Sequence, residues 1–146
     1  MKFLWIVWAF LAGSVLPIQA GLNGRMSEQL KQPLVASMLS FVVGALTLLI
    51  FTIGVNNQVV WQGLQSAPLW VWLAGVIGAF YVTSVIILAP KLGAALTFSL
   101  VVLGQMVLSL LMDHFAWLGI PQHSFSFWRM LGVALIIGGV AILRFK

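Results

Sequence analysis

Residues 33–55 read PLVASMLSFVVGALTLLIFTIGV, from Pro33 to Val55, with no charged side chain anywhere in the run. About 30 Å of hydrocarbon is crossed by roughly 20 mostly apolar residues rising 1.5 Å each, so this stretch is long enough to span a bilayer. Four further stretches qualify, from about Phe3 to Leu22, Leu69 to Ala89, Leu92 to Met112 and Phe127 to Phe145. The expected fold class is all-α integral membrane: a single membrane domain, residues 1–146, of five transmembrane helices.

Composition agrees. Charged residues make up 6% of the chain and hydrophobic ones 62%, whereas a water-soluble domain carries about 25% charged residues. The main partner is therefore the lipid bilayer. The net charge of +5 comes from seven basic residues scattered singly, with no stripe that could track phosphates, so no nucleic acid is expected. Cysteine is absent, which removes disulfides and thiolate ligands. His114 and His123 are too sparse for a metal site, so no metal and no cofactor are expected. No Ser/His/Asp set or phosphate-cradling glycine loop occurs in a plausible context, and the chain is not expected to be an enzyme.

The connections carry the chemistry of helix ends. Gly21-Leu22-Asn23-Gly24 leads into Arg25–Gln32, the most charged segment, and Pro33 suits the start of a helix. Glu28, three residues before Lys31, reads as its solvated interfacial partner. Asn56, Asn57, Gln58 and Pro68 bound an uncharged second connection, and Pro90-Lys91 a very tight third one that implies an antiparallel hairpin. The last connection runs from Asp113 to Ser126. Lys2, an apolar run and Ile18-Gln19-Ala20 also resemble a signal peptide with its cleavage site. Since everything after it is again a string of spans, an uncleaved first helix is the simpler expectation.

Five spans place the termini on opposite faces, with Lys2 and Arg129 on one and Arg25, Lys31, Lys91, Arg144 and Lys146 on the other. That bias favours a cytoplasmic C-terminus, but it is weak enough to allow dual topology. Two copies inserted oppositely reproduce the inverted repeat of many secondary transporters, so the chain reads as half of such a repeat and an antiparallel homodimer is expected. Small residues that allow close helix approach are Ser37, Ser40 and Gly44, Gly75 and Gly78, and Gly132, Gly138 and Gly139.

Polar residues inside spans are costly without a partner or a wet cavity, and they mark candidate sites. Gln19 and Asn23 share one face of the first span, beside Pro17, whose missing N–H frees a carbonyl near mid-helix and suggests a hinge. Gln105, Ser109 and Asp113 form a polar stripe on the fourth span, and Tyr81 and Ser84 on the third can face the same interior. Gln19, Asn23, Tyr81 and Gln105 are the candidate substrate-binding residues, with Ser14, Ser84, Ser109 and Asp113 in support. Trp5, Trp8, Trp70 and Trp72 flank them, mostly as interfacial anchors. The only acids, Glu28 and Asp113, lie outside the span centres, which disfavours simple proton or cation exchange.

Pro17–Asn23 followed by Arg25, together with Ser40–Gly44, Trp72–Tyr81, Leu88–Gly93, Gly104-Gln105, Leu111–Phe115 and Gly119–Pro121, resembles the YdcZ-like family of small five-span membrane proteins in the drug/metabolite transporter superfamily. The resemblance covers nearly the whole chain. It implies a bacterial inner-membrane exporter of small metabolites or drug-like solutes, working by alternating access as an antiparallel dimer of two five-span units, a second copy or a paralogous five-span partner. The family's motif residues fall on Gln19, Asn23, Arg25, Tyr81, Gln105 and Asp113. Compared with the four-span multidrug exporters of the superfamily, the chain lacks a first-helix glutamate and has an added helix. The alternative is a non-transporting assembly or regulatory subunit in which the same polar groups bond helix to helix.

Overall fold

The structure is a computed structural model that describes residues 2–54 and 66–144. Its elements are α1 (Lys2–Leu30), α2 (Pro33–Gly54), a 3-10 turn at Leu69–Trp72 running into α3 (Leu73–Leu92), α4 (Ala94–Phe115), a second 3-10 turn at Trp117–Gly119, and α5 (Phe127–Arg144). Five helices are long and apolar enough to cross a membrane, and the described residues contain no strand. Among those residues only Ala20, Ala36, Val85, Ile86, Val133 and Val140 are buried hydrophobics, while Phe3, Trp8, Ile50, Phe80 and Ile142 are each at least 70% exposed. So small an apolar interior matches a chain whose outer surface is solvated by lipid.

Two of the breaks differ from those expected. The segment Gly21–Leu30, expected to open the first connection, is helical, and the chain leaves α1 only at Lys31, which takes a left-handed φ of 53°. Two residues then separate α1 from α2, where Pro33 fits the first helical turn and Ala36 N donates to Gln32 O at 3.1 Å. The third break falls at Gly93 (φ 80°) rather than at Pro90-Lys91, which lie in the last turn of α3. Glycine alone adopts that backbone freely, whereas Pro90 removes only one hydrogen bond, to Ile86 O, from a helix that is already ending. Asn56, Asn57 and Gln58 of the second connection lie outside the described residues; Pro68 accepts from Val71 N at 3.1 Å and begins the 3-10 turn.

Packing divides the chain into two compact units, Met1–Lys91 and Leu92–Lys146. In the first, α1 and α2 form a tight antiparallel hairpin whose buried positions, Ala20 and Asn23 on α1 and Ala36 and Ser37 on α2, are all small or short. Lipid supplies no hydrophobic drive between helices, so such residues let the backbones approach. Thr83 Oγ1 on α3 donates to Ser37 Oγ at 2.8 Å, and Ser37 Oγ donates to Pro33 O at 3.0 Å. One turn further, a Cβ on Gly78 would lie 3.2 Å from Phe41 Cζ. Moving forward along α2 from Ser37 to Phe41 thus moves backward along α3 from Thr83 to Gly78, and the two helices are antiparallel. Of the small residues expected to mediate close packing, Ser37 and Gly78 do so within the chain. Gly44, Gly75, Gly132, Gly138 and Gly139 meet nothing within 4 Å.

The Thr83–Ser37 bond is the polar link from α3 to α2, and Thr83→Val removes its donor at nearly constant volume. We expect a loss of about 0.6 kcal/mol and no more than about 1.7 kcal/mol, the range of interhelical hydrogen bonds in membranes. A double-mutant cycle with Ser37→Ala, read by reversible unfolding in detergent, should return that coupling.

In the second unit α4 packs on α5. Thr97, 1% exposed, binds Gly93 O twice, through its backbone N at 3.1 Å and its Oγ1 at 2.7 Å, anchoring the start of α4. Val133 and Val140 on α5 are buried. At its far end α4 closes on Ala116 (φ 52°), whose N–H donates to Met112 O, and Leu118 and Gly119 continue the left-handed turn at φ 56° and 78°. Ser126 caps α5, its backbone O accepting from Met130 N at 3.1 Å and its Oγ from Arg129 N at 3.4 Å.

Candidate functional site

The first unit holds Ser14, Pro17, Gln19, Asn23, Tyr81 and Ser84; the second holds Gln105, Ser109 and Asp113. Pro17 lies inside an unbroken α1 and cannot donate to the carbonyl of Gly13. Ser14 Oγ donates to Phe10 O at 2.8 Å, so its hydroxyl is satisfied by its own helix. Gln19 is exposed. Asn23, on the same side one turn later, is 5% exposed, and among the described residues neither side chain makes a hydrogen bond.

Helix register sets their depth. Counting back equally from the Lys31-Gln32 turn along α1 and α2 places Asn23 level with Ser40, roughly 10 Å below the turn at 1.5 Å per residue. The α2–α3 register fixed by Ser37–Thr83 and Phe41–Gly78 places Ser40 level with Ala79 and Phe80, roughly 2 Å from the level of Tyr81. Asn23 and half-buried Tyr81 therefore occupy one layer of the first unit, with Gln19 about one turn, roughly 6 Å, deeper. Ser84 is half-buried one turn above Tyr81. Beside this layer an apolar groove of about 480 Å³ opens between α2 and α3, lined by Leu34, Met38, Phe41 and Ala79 with Ser37 and Thr83 at its polar end.

In the second unit Gln105 is exposed near the middle of α4, and Ser109 is exposed one turn on. Asp113 has a defined structural partner: its Oδ2 accepts from Arg129 Nη1 at 2.9 Å, the one ion pair among the described residues. Around it the last connection folds back on α4. His123 N donates to Asp113 O at 2.8 Å, Gln122 Nε2 to His114 O at 3.0 Å, and Arg129 Nη1 also reaches His123 O at 3.5 Å. The His114 ring stacks on Phe125 at 4.2 Å, and its Nδ1 is buried without a partner. Both charges sit at helix ends on one membrane face, the end of α4 and the start of α5, so opposite charges flanking one connection were the available signal for this pair.

Glu28 and Lys31, expected to pair, form no ion pair. The positive φ of Lys31 takes it off the helical path on which an i,i+3 pair depends. Among the described residues no group of three or more His, Asp or Glu side chains is placed to hold a metal ion.

Among the described residues, the apolar helices carry the isolated uncharged amides Gln19, Asn23 and Gln105. The family described as "Putative inner membrane exporter, YdcZ" matches residues 4–142. The chain belongs to this family. Inner membrane protein YdcZ of Escherichia coli (strain K12) is 26% identical over 138 residues, covering 93% of this chain and 91% of that one. No solved structure matches. As a YdcZ-family member with five apolar helices, the chain is a multi-pass inner-membrane protein, and family membership supports a transporter role.

Proposed function

We propose that the protein is a secondary transporter exporting small metabolites or drug-like solutes by alternating access, as an antiparallel dimer with a second copy or a paralogous five-span partner. Gln19, Asn23 and Tyr81 in the first unit and Gln105 in the second are its neutral, hydrogen-bonding substrate-binding residues, and α1 flexes at Pro17. The observation that carries this reading is the state of two amides: Gln19 and Gln105 are exposed within apolar helices and have no side-chain hydrogen bond among the described residues. An amide facing hydrocarbon without a partner is costly, so each calls for a wet cavity, a solute or a neighbouring chain. The open glycines of α3 and α5 offer close-packing faces to that neighbour. With its few acids outside the span centres, the site suits neutral or zwitterionic solutes.

The test is saturable flux of a broad metabolite panel in proteoliposomes. Gln105→Ala should reduce the flux by tenfold or more with an unchanged unfolding midpoint. Absence of any saturable flux, or a Gln105→Ala protein that loses stability while keeping its ligand response, would overturn the reading in favour of a non-transporting subunit.

A further inference from the structure

We infer that the end of the α1–α2–α3 unit bearing Arg25, Lys31 and Lys91 binds the phosphate headgroups of anionic phospholipid. Register brings these cations to one membrane edge. Thr83 to Lys91 rises roughly 12 Å and Ser37 to Pro33 roughly 6 Å, so Lys91 stands about 6 Å beyond the start of α2, beside the Lys31-Gln32 turn. Arg25 lies about 8 Å below the turn, a depth from which its long stem can snorkel to the headgroups. All three are exposed, and none makes an ion pair or side-chain hydrogen bond among the described residues. The one acid at this end, Glu28, is exposed and likewise unpaired. Three cations against one acid leave an excess of positive charge where lipid phosphates lie.

The backbone of Lys31 adds an independent sign. Its φ of 53° is the left-handed conformation in which glycine is favoured and other residues are strained. The chain nevertheless carries a lysine there, in the two-residue turn between α1 and α2. Of the three described non-glycine residues at positive φ, Lys31, Ala116 and Leu118, Lys31 alone is charged, and an ammonium held at the membrane edge is what an anionic headgroup requires. The exposed Arg25 makes the same demand from below, since a guanidinium at that depth without a protein carboxylate needs a phosphate.

The test compares the full-length protein in phosphatidylcholine vesicles with vesicles in which phosphatidylglycerol replaces part of that lipid. Phosphatidylglycerol should raise the unfolding midpoint, and the rise should shrink as salt increases. Removing each cation should weaken phosphatidylglycerol binding about fivefold, and the triple change Arg25→Gln, Lys31→Gly, Lys91→Gln on the order of a hundredfold. Lys31→Gly separates the effects: it should raise the midpoint in phosphatidylcholine by relieving strain, yet diminish the phosphatidylglycerol response. Equal midpoints for the wild type in the two lipids would overturn the inference. So would an undiminished phosphatidylglycerol response in Lys31→Gly, or an equal shift from inorganic phosphate alone in phosphatidylcholine, which would mark a free-oxyanion site instead.

Discussion

Asn23→Leu is expected to lower saturable transport by tenfold or more while leaving the unfolding midpoint unchanged or higher. Asn23 is 5% exposed, and its carboxamide has no hydrogen bond among the described residues. Among the described residues the side-chain atom fully buried without a partner is His114 Nδ1, so the Asn23 amide keeps some accessible surface; an apolar side chain of similar size still removes its partial desolvation cost. A residue present only for packing would have no reason to keep the amide. A residue kept for solute binding would, because sites carry polar groups that are satisfied only when occupied, at the expense of stability. The two readouts must therefore move in opposite directions or not at all. A protein that is destabilised by Asn23→Leu but transports normally would make Asn23 a helix-packing residue and remove it from the proposed site.

The architecture was legible because its signal is redundant. Five long apolar runs separated by glycine, proline and charge admit one class of fold, and those runs are helices α1 to α5. The helix ends were less legible. Gly21 and Gly24 look like breakers, yet Gly21–Leu30 remains helical, because a glycine inside a helix costs only about 1 kcal/mol and does not by itself end it. Pro90 misleads for a similar reason: the left-handed turn that ends α3 needs a residue free at positive φ, and Gly93 three positions later supplies it. Lys31, the residue that actually turns the chain after α1, carries no sequence signal for a left-handed backbone at all.

For the candidate site, residue type showed which groups need a partner and only structure showed which have one. Ser14, Ser37 and Thr97 spend their hydroxyls on carbonyls four residues back, a choice local to the helix. Asp113 spends its carboxylate on Arg129, sixteen residues away across a connection that sequence spacing does not fold. What is left without a side-chain partner among the described residues of the spans includes the carboxamides Gln19, Asn23 and Gln105 together with the hydroxyls of Ser40, Tyr81, Ser84 and Ser109. A serine hydroxyl can still close on its own helix, as Ser14 does, whereas a carboxamide has no such local acceptor geometry.

Ala36→Leu should have the largest effect on folding, about 3 kcal/mol or more, enough to leave little folded protein in detergent. Ala36 is 0% exposed, between Pro33, which starts α2, and Ser37, which receives the bond from Thr83. Counting from the Lys31-Gln32 turn, it lies level with half-buried Ser27 on α1, another small residue. Three added carbons cannot be placed there without moving α1 away from α2, and a two-residue connection gives the helices little freedom to separate by sliding. Displacing the start of α2 also shifts Ser37 away from Thr83, so the packing and hydrogen-bond losses arrive together. Ala45→Leu provides the control: it makes the same chemical change on the same helix at an exposed position lining the open α2–α3 groove, and should be close to neutral. If Ala36→Leu unfolded at the same midpoint as Ala45→Leu, close α1–α2 approach through small residues would not be what holds the first unit together.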